Sequence, residues 1–351
     1  MILQAKNNLP AEWAPQDAIL LCWPHKTMDW GPILAEVEPV FTQIVMTISS
    51  TQPVIIIAHD HKHQGDIEQQ LQHASANVNN ISWLHHSNND TWCRDFGPII
   101  IQRDAEIIAL DYQFNGWGSK FESTMDNLTT TKLSAENILN CQLETVPLVL
   151  EGGSIDSDGA GNLLTTEQCL LSTERNPDLN KQQIEDRLKQ QLGCERIFWL
   201  KSGQLEGDDT DAHIDNLARF CNSNTIAYAS CNNPADSHYQ SLKNMETELK
   251  ALRTTDNQPY HLIALDIPAA LYDQEQRLPA SYVNFLITNK LVLMPIFNDD
   301  KDNINLAKLQ SIFTDRKVIG IKSEALIKQS GSIHCLTMQL TKGSLNLEIK
   351  K

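Results

Sequence analysis

The chain has 351 residues, of which 41% are apolar or aromatic, and a formal net charge of −16. A chain of this length can bury a full hydrophobic core, and its acidic balance argues against a nucleic acid or an anionic membrane as a partner. Because no apolar run is long enough to cross a bilayer and the N-terminus has no secretory signal pattern, we expect a cytoplasmic protein. The eight cysteines form no C-x-x-C pair and no zinc-ribbon spacing, which favours reduced thiols.

Short apolar segments rich in β-branched and aromatic residues predict strands along the whole chain. They cover residues 18–23, 54–58, 107–114, 146–150, 196–200, 225–229, 261–267, 291–297 and 318–321. Apolar residues three and four positions apart predict helices. These helices cover residues 33–48, 181–192, 237–252 and 305–313.

Four segments each predict a β-hairpin, because two strand-like runs flank a short polar turn. The turns lie at Arg103-Asp104, at 157–162, at 222–224 and at Asn289-Lys290. A helix and a further strand follow each hairpin, with a weaker helix at 134–139 after the first. The repeated unit is therefore strand, turn, strand, helix, strand.

Each unit begins with a polar cluster. The clusters are Arg94-Asp95, Glu151, His213 with Asp215, Asn284, and finally His334-Cys335 before a last strand without a helix. The recurrence of these clusters along the chain predicts that one supersecondary unit is used five times. The N-terminal strand and the helix at 33–48 would complete the last unit. We therefore predict an α/β fold, a five-fold pseudosymmetric α/β-propeller in a single domain over residues 1–351, with all five clusters near one axis.

The cluster residues could carry chemistry, although each also has a structural interpretation. Cys335 is a nucleophile only if a nearby cation lowers its thiol pKa; otherwise it is a core cysteine. His213 and Asp215 would share one face if they lie on a strand, where the imidazole could transfer protons and the carboxylate could bind a substrate N–H. A solvated acidic loop is the alternative for this segment.

The remaining polar positions carry weaker signals when each is taken alone. Asp95 could point inward while Arg94 pins a neighbouring loop, or the pair could form a salt bridge at a turn. Glu151 at a strand end could orient a histidine. Three alternate histidines in residues 59–63 could bind a metal, or could form a solvated strand end.

Taken together, seven segments resemble the agmatine deiminase / Porphyromonas-type peptidylarginine deiminase family in order and spacing over nearly the whole chain. They are WCRDFGP, FNGWGSKF, EGGSIDSDGAGNLLTTEQCLL, ERNP, DDTDAHIDNLARF, SYVNF and SIHCLTMQ. The resemblance implies a pentein-like five-fold α/β-propeller of the guanidine-modifying superfamily. It also implies hydrolysis of a guanidinium group to a ureido group and ammonia, without a metal or a cofactor.

The resemblance also implies a role for each matching residue. Cys335 attacks the guanidinium carbon to form a covalent thiouronium intermediate, and His213 protonates the departing ammonia and then activates water. Glu151 hydrogen-bonds His213. The guanidinium is clamped by Asp95 and Asp215. Substrate-side positions are Trp92, Asn284 and Asp209, the last facing the distal amine.

The sequence departs from the family pattern at four places, one of which is WGSK at 117–120, where the family has a WGGK-like segment. Ala212 stands where the family usually has glycine, Asp209 stands where it usually has glutamate, and the segment before Cys335 contains less glycine. These departures affect the expected substrate more than the expected chemistry.

Agmatine is the first expectation for the substrate, converted to N-carbamoylputrescine in polyamine and putrescine biosynthesis. Free arginine and peptidyl-arginine stay open, as does a non-catalytic polyamine-binding relative. A metal-dependent hydrolase built on His213, Asp215 and His334 is the alternative from another class. The expected partner is a small guanidine cation, and a homodimer stays open.

Overall fold

The computed structural model describes residues 6–346, and within this range five mixed sheets share one strand order. In each sheet two strands pair antiparallel, and the next strand joins the second in parallel. Sheet 1 consists of Ile99–Arg103, Glu106–Gln113 and Gln142–Val149, with Asn7–Asn8 at its edge; sheet 2 of Ile155–Ser157, Asn162–Thr166 and Arg196–Leu200; sheet 3 of Ala218–Asn222, Thr225–Ser230 and His261–Asp266; sheet 4 of Leu286–Ile287, Leu291–Ile296 and Lys317–Lys322; and sheet 5 of Thr337–Thr341, Gln16–Cys22, Val54–Ala58 and Ile81–His85.

A helix connects the parallel strands of every sheet, as a parallel pair requires a crossover connection. In the order of sheets 1 to 5, these helices are Thr129–Ala135, Lys181–Leu192, Tyr239–Ala251, Lys301–Ile312 and Leu34–Ser49. A further helix, His61–His73, leads to the last strand of sheet 5, and a small hairpin pairs Tyr272–Asp273 with Gln276–Arg277. Shorter helices and 3₁₀ turns lie at Gly31–Ile33, Val78–Asn80, Cys93–Phe96, Gly116–Ser119, Asp126–Leu128, Gly152–Ser154, Glu167–Leu170, Ile214–Asn216 and Leu326–Gln329.

Sheet 5 joins the two ends of the chain. Thr337–Thr341 pairs antiparallel with Gln16–Cys22, and Thr337 lies opposite Leu21. The predicted completion of the last unit by the N-terminal strand and helix is therefore confirmed. The four predicted hairpins are also confirmed, since their strands pair antiparallel around the predicted turns.

The ends of the helix Lys181–Leu192 show how local sequence sets an element. Asn180 caps its N-terminus by accepting a hydrogen bond from the backbone N–H of Gln183, whose side chain bonds back to Asn180. Gly193 ends the helix with φ 73°, and a Cβ there would lie 1.7 Å from the backbone oxygen of Asn7. Glycine is therefore required both for the left-handed conformation and for the close approach of the N-terminal segment.

Two local predictions are wrong. The first crossover helix is Thr129–Ala135 instead of 134–139, because Asn137 takes a left-handed φ of 54° just after the helix. Residues 59–63 do not form a strand end. Asp60 accepts a hydrogen bond from the backbone N–H of His63 and caps the helix His61–His73.

The buried apolar side chains form two clusters. The larger one is formed mainly by sheets 1 and 5 with their helices, and the smaller one mainly by sheets 3 and 4. In the helix Leu34–Ser49 the buried side chains follow the predicted helical spacing, namely Val37, Phe41, Ile44, Val45 and Ile48. Among the helices of residues 6–346, none has the length and apolar character needed to cross a membrane.

Candidate active site

Each predicted polar cluster lies in or next to a short turn that comes shortly before the first strand of a sheet. In order, these turns are Cys93–Phe96, Gly152–Ser154 after Glu151, Ile214–Asn216 after His213, residues 282–283, and residues 333–336. His213 and Asp215 therefore do not lie on a strand, and their predicted placement on one strand face is wrong. On a strand, residues two positions apart share one face, whereas in a turn they can point to different partners.

The thiol of Cys335 is held between an amide and a carboxylate. Asn284 donates from its Nδ2 to the Cys335 Sγ at 3.0 Å, and the thiol donates to Asp215 Oδ2 at 3.4 Å. Asn284 Oδ1 also accepts from the backbone N–H of His334 at 2.9 Å. Asn284, which is predicted on the substrate side, therefore contacts the predicted nucleophile and fixes its turn.

The electrostatic surroundings keep Cys335 protonated when no ligand is present. Burial raises the thiol pKa well above its ordinary value, and the charges of Asp215 and Asp95 raise it further. A cation placed between these carboxylates would act in the opposite direction. The site therefore links the reactivity of the thiol to the presence of a positive charge.

Asp95 is buried and fixed by two donors. Its Oδ1 accepts from the backbone N–H of Gly153 and its Oδ2 accepts from the Trp117 indole, both at 2.9 Å. His213 Nδ1 lies 3.7 Å from Asp95 Oδ1. A Cβ at Gly153 would lie 2.7 Å from both of these atoms, so only glycine allows them to approach.

Glu151 does not make the predicted hydrogen bond to His213. Its buried carboxylate accepts from Arg175 Nε at 2.8 and 3.1 Å, and within residues 6–346 neither ring nitrogen of His213 has a hydrogen-bond partner. Donor atoms of Glu151, Cys169 and His213 still lie within 4.8 Å of one another. The Glu151 carboxylate therefore bonds the guanidinium of Arg175 in place of the His213 imidazole, which the family resemblance implies as its partner.

The charge environment of His213 favours its protonated form. Burial lowers the imidazole pKa, but the neighbouring carboxylate of Asp95 opposes this effect, and the pKa lies well above its ordinary value. His213 is thus able to give a proton to a leaving group near Asp95.

The loop that contains Asp209 is held by two cations from other parts of the chain. Arg175 donates to Asp211 Oδ2 at 2.7 Å and to the backbone oxygen of Thr210 at 2.9 Å. Lys120 donates to the backbone oxygen of Asp209 at 2.7 Å and to Asp211 Oδ1 at 2.8 Å. These bonds leave the Asp209 carboxylate free to face the pocket.

A narrow pocket leads to the Cys335 thiol. Trp92 and Asp209 lie in its wall, as predicted, and burial raises the pKa of Asp209 to about 6 and that of Asp90 to about 7. Among residues 6–346, three acidic side chains and no basic one line the pocket, which suits a cationic ligand. The lining consists of Asp90, Trp92, Asp95, Trp117, Phe121, Asp209, Thr210, Gln329, Ser330, Gly331 and Cys335.

Several residues around the site could not be selected from single residue types. Trp117, Cys169 and Arg175 occur in segments that carry the family resemblance, yet only the structure shows what they contact. If His334 and Cys335 lay on a strand they would face opposite ways, so the sequence predicts no role for His334 beside the nucleophile. It lies in a turn instead and bonds to Asp215 at 2.8 Å.

The metal-binding alternatives receive little support from the donor geometry. In the described part of the chain, the only three-donor cluster is Glu151, Cys169 and His213, and Arg175 occupies that carboxylate. The alternative set of His213, Asp215 and His334 does not form such a cluster, and the histidines of residues 59–63 do not either.

Comparison with known proteins identifies the family. Residues 8–340 match the model of the Porphyromonas-type peptidyl-arginine deiminase family. The chain belongs to that family.

Solved structures and relatives extend over nearly the whole chain. A candidate arginine deiminase from Porphyromonas gingivalis is 43% identical, covers 97% of this chain and 100% of its own, and has a TM-score of 0.91. An agmatine deiminase from C. jejuni, solved with substrate bound, is 36% identical with 99% coverage of both chains and a TM-score of 0.91. An agmatine deiminase from Medicago truncatula is 31% identical over 95% of this chain and 96% of its own.

The backbone at Ala212, where this family usually has glycine, is strained, and the strain can be measured as a change in the free energy of unfolding. The φ of Ala212 is 65°, and its backbone N–H and C=O already bond Asp208 and Thr166. Because an alanine in this region is strained, we expect Ala212→Gly to raise the free energy of unfolding by about 0.5–1 kcal/mol in urea denaturation.

The matched control is Ala307→Gly, at an exposed position within the helix Lys301–Ile312. This change should lower the free energy of unfolding by about 1 kcal/mol. Equal losses at both positions would contradict the assignment of strain to Ala212.

Proposed function

We propose that this protein hydrolyses the guanidinium group of agmatine to N-carbamoylputrescine and ammonia, with Cys335 as the nucleophile. The observation that carries the proposal is the placement of a buried thiol 3.4 Å from Asp215, in a pocket that also contains Asp95 and no basic side chain. Support comes from relatives named agmatine deiminase, one of which was solved with substrate bound.

Asp95 and Asp215 are suited to hold a guanidinium ion. The ion is planar, with N–H groups directed outward in a fixed fork, and carboxylates bind it through charge-assisted hydrogen bonds. Asp215 Oδ1 is buried without a hydrogen-bond partner in residues 6–346 and can accept a substrate N–H. The bound cation lowers the thiol pKa, so the nucleophile forms when the substrate is in place.

The reaction follows from the positions of Cys335 and His213. The thiolate attacks the guanidinium carbon, His213 gives its proton to the departing ammonia, and a thiouronium remains on the sulfur. His213 then takes a proton from water as the hydroxyl adds to the carbon. The C–S bond breaks to release the thiolate, and the hydroxyl loses its proton to solvent, where it protonates the released ammonia, which leaves the ureido product. Glu151, held by Arg175, contributes negative charge near His213.

The acidic pocket wall favours agmatine over free arginine. Agmatine has an ammonium group at the end opposite the guanidinium, where Asp209 and Asp90 could face it. Free arginine has a carboxylate near that end, which these acids would repel. Peptidyl-arginine is the second candidate, because the family model carries that name.

We also propose the overall architecture, the cellular compartment and the metabolic role that the sequence predicts. Five sheets with one strand order, and mutual contacts between the turns that precede them, support a single-domain, five-fold pseudosymmetric α/β-propeller. A role in cytoplasmic putrescine biosynthesis fits the proposed reaction, and the homodimer stays a prediction.

The direct test measures ureido product from purified protein with agmatine, free arginine and arginyl peptides. We expect the highest kcat/KM with agmatine, no loss with EDTA, and loss of turnover in Cys335→Ala but not in Cys141→Ala. Cys141 is a partly exposed free thiol that does not line the pocket. Undiminished product formation by Cys335→Ala would contradict the mechanism. A higher kcat/KM with arginyl peptides than with agmatine would identify peptidyl-arginine as the substrate instead.

Asp95→Asn and Asp215→Asn should each lower kcat/KM for agmatine at least about a hundredfold. Removing one carboxylate of a buried charge pair costs roughly 3–5 kcal/mol, because the partner charge stays buried and unpaired. Steady-state kinetics check this, with Asp273→Asn in the exposed hairpin as the control. Near-normal kcat/KM in either site variant would contradict the assignment of Asp95 and Asp215 to guanidinium binding.

Asp209 predicts a pH dependence that is specific to the distal ammonium group. Since burial raises its pKa to about 6, Asp209 is negative above this pH and loses its charge as the pH falls through 6. The KM for agmatine should therefore rise below about pH 6, whereas the KM for butylguanidine, which has no amine, should change less. Asp209→Asn should remove this difference between the substrates, and an unchanged difference would show that another group contacts the amine.

A further inference from the structure

His334, the residue before the nucleophile, bridges two buried carboxylates. Its Nδ1 bonds Asp215 Oδ2 at 2.8 Å, and its Nε2 bonds Glu12 Oε2 at 2.7 Å. His334 is 2% exposed and Asp215 is 0% exposed. No role for this imidazole follows from the reaction proposed above.

We propose that His334 is a positioning residue, which keeps the Asp215 carboxylate ionised and turned so that one oxygen is free for the guanidinium. This inference rests on the proposed function, because it assigns how the substrate clamp of that same site is prepared.

The geometry of the bridge fixes the state of the ring. Ionised carboxylates only accept hydrogen bonds, so a nitrogen that bonds one must carry hydrogen. Both nitrogens of His334 face such oxygens, and the ring therefore bonds as an imidazolium. Its positive charge offsets part of the cost of burying Glu12 and Asp215.

The hydrogen bond from His334 makes the two carboxylate oxygens of Asp215 inequivalent. Oδ2 receives the His334 N–H and the Cys335 thiol, whereas the buried Oδ1 has no partner within residues 6–346. Burial acts to raise the pKa of Asp215, but the hydrogen bond and charge of His334 outweigh it, and the pKa lies below its ordinary value. The carboxylate is thus charged before the substrate arrives.

Glu12 anchors the opposite side of the bridge. Its carboxylate accepts from Arg219 Nη2 at 2.7 Å and from the backbone N–H of Ile287 at 2.6 Å, and lies 3.6 Å from Arg94 Nη2. Burial acts to raise the pKa of Glu12, but Arg219 and His334 hold it far below its ordinary value. The groups facing the bridge are therefore Glu12, Asp215, Arg94, Arg219 and Cys335, and the charges of His213 and Asp95 lie beside Asp215 on its other side.

The backbone of His334 has separate contacts that do not need the imidazole. Asn284 Oδ1 accepts from its N–H at 2.9 Å, and Arg94 Nε donates to its C=O at 3.3 Å. Variants at this position therefore keep the bonds that shape the nucleophile turn, and a role of the side chain can be tested by itself.

Two substitutions separate the two ends of the bridge. His334→Asn can place an N–H where Nδ1 lies and keep the bond to Asp215, whereas His334→Gln reaches toward Glu12 and loses that bond. For agmatine we expect His334→Gln to lower kcat/KM at least about thirtyfold and His334→Asn to lower it less. His86→Gln is the control, because His86 is a half-buried histidine that bonds the backbone oxygen of Met125.

The pH profile distinguishes positioning from a general structural effect. Losing the His334 bond raises the pKa of Asp215, so the acid-side fall of kcat/KM should move to higher pH in His334→Gln. In an Asp215→Asn background, His334→Gln should add less than about threefold, because its target is already removed. An unmoved acid limb, or losses that multiply in the double variant, would overturn the proposal.

NMR of labelled histidine measures the protonation of the two ring nitrogens of His334 independently of catalytic activity. With ¹⁵N-labelled histidine, His334 in the wild type should show two protonated ring nitrogens, because each faces a carboxylate oxygen, and Asp215→Asn should change this signal. A neutral, singly protonated ring in the wild type overturns the inference even if agmatine is hydrolysed. If the protein hydrolyses no guanidine compound but His334 is doubly protonated, the proposed function is wrong. The inferred hydrogen bonds of His334 to Asp215 and Glu12 would still be supported.

If His334→Gln does not fold, as judged by circular dichroism, Glu12→Gln provides the second test. The amide can still bond Arg219 but removes the charge that holds the ring. The acid limb should again move to higher pH, and an unmoved limb in this folded variant would contradict the proposal.

Discussion

Two carboxylates buried beside a thiol form the constraint on which this site depends. Asp95 and Asp215 both raise the pKa of Cys335, so the empty site keeps the nucleophile in its neutral form. A guanidinium ion relieves the same repulsion when it enters between them. Binding and activation are in this way one electrostatic event, which ties the reactivity of the thiol to the charge of the ligand.

Other buried charges hold these groups in place. Arg175 connects Glu151 with the loop of Asp211, and Arg219 connects Glu12 with Asp156. The buried carboxylates of Glu151, Glu12 and Asp156 therefore each have an arginine as a partner of opposite charge, which offsets the cost of burying them. These networks orient the groups that face the pocket without lining it themselves.

The sequence predicted the repeat and the convergence of its clusters because both depend on regular features. Alternation and helical spacing indicate the elements, and their order indicates the unit. The N-terminal strand that completes sheet 5 was foreseen because the last unit lacked its helix. The family motifs then placed Cys335, Asp95, His213 and Asp215 in one site, and the structure brings these side chains together.

The partners of these side chains could not be predicted in the same way. His334 appeared unimportant because it was assigned to a strand, and a turn of four residues has no periodicity that marks it. The competition of Arg175 for Glu151 depends on a contact between residues 24 positions apart in the chain. Such contacts are set by tertiary packing, which local patterns do not contain.

The covalent intermediate gives the most direct test of the central claim. Wild-type protein mixed with agmatine, quenched in acid within one turnover and digested, can be examined by mass spectrometry of the peptide that contains residue 335. We expect the mass of the covalent thiouronium adduct on Cys335 in the wild type and no adduct in Cys335→Ala. Product formation with no adduct on that cysteine, or an adduct on a different cysteine, would contradict it.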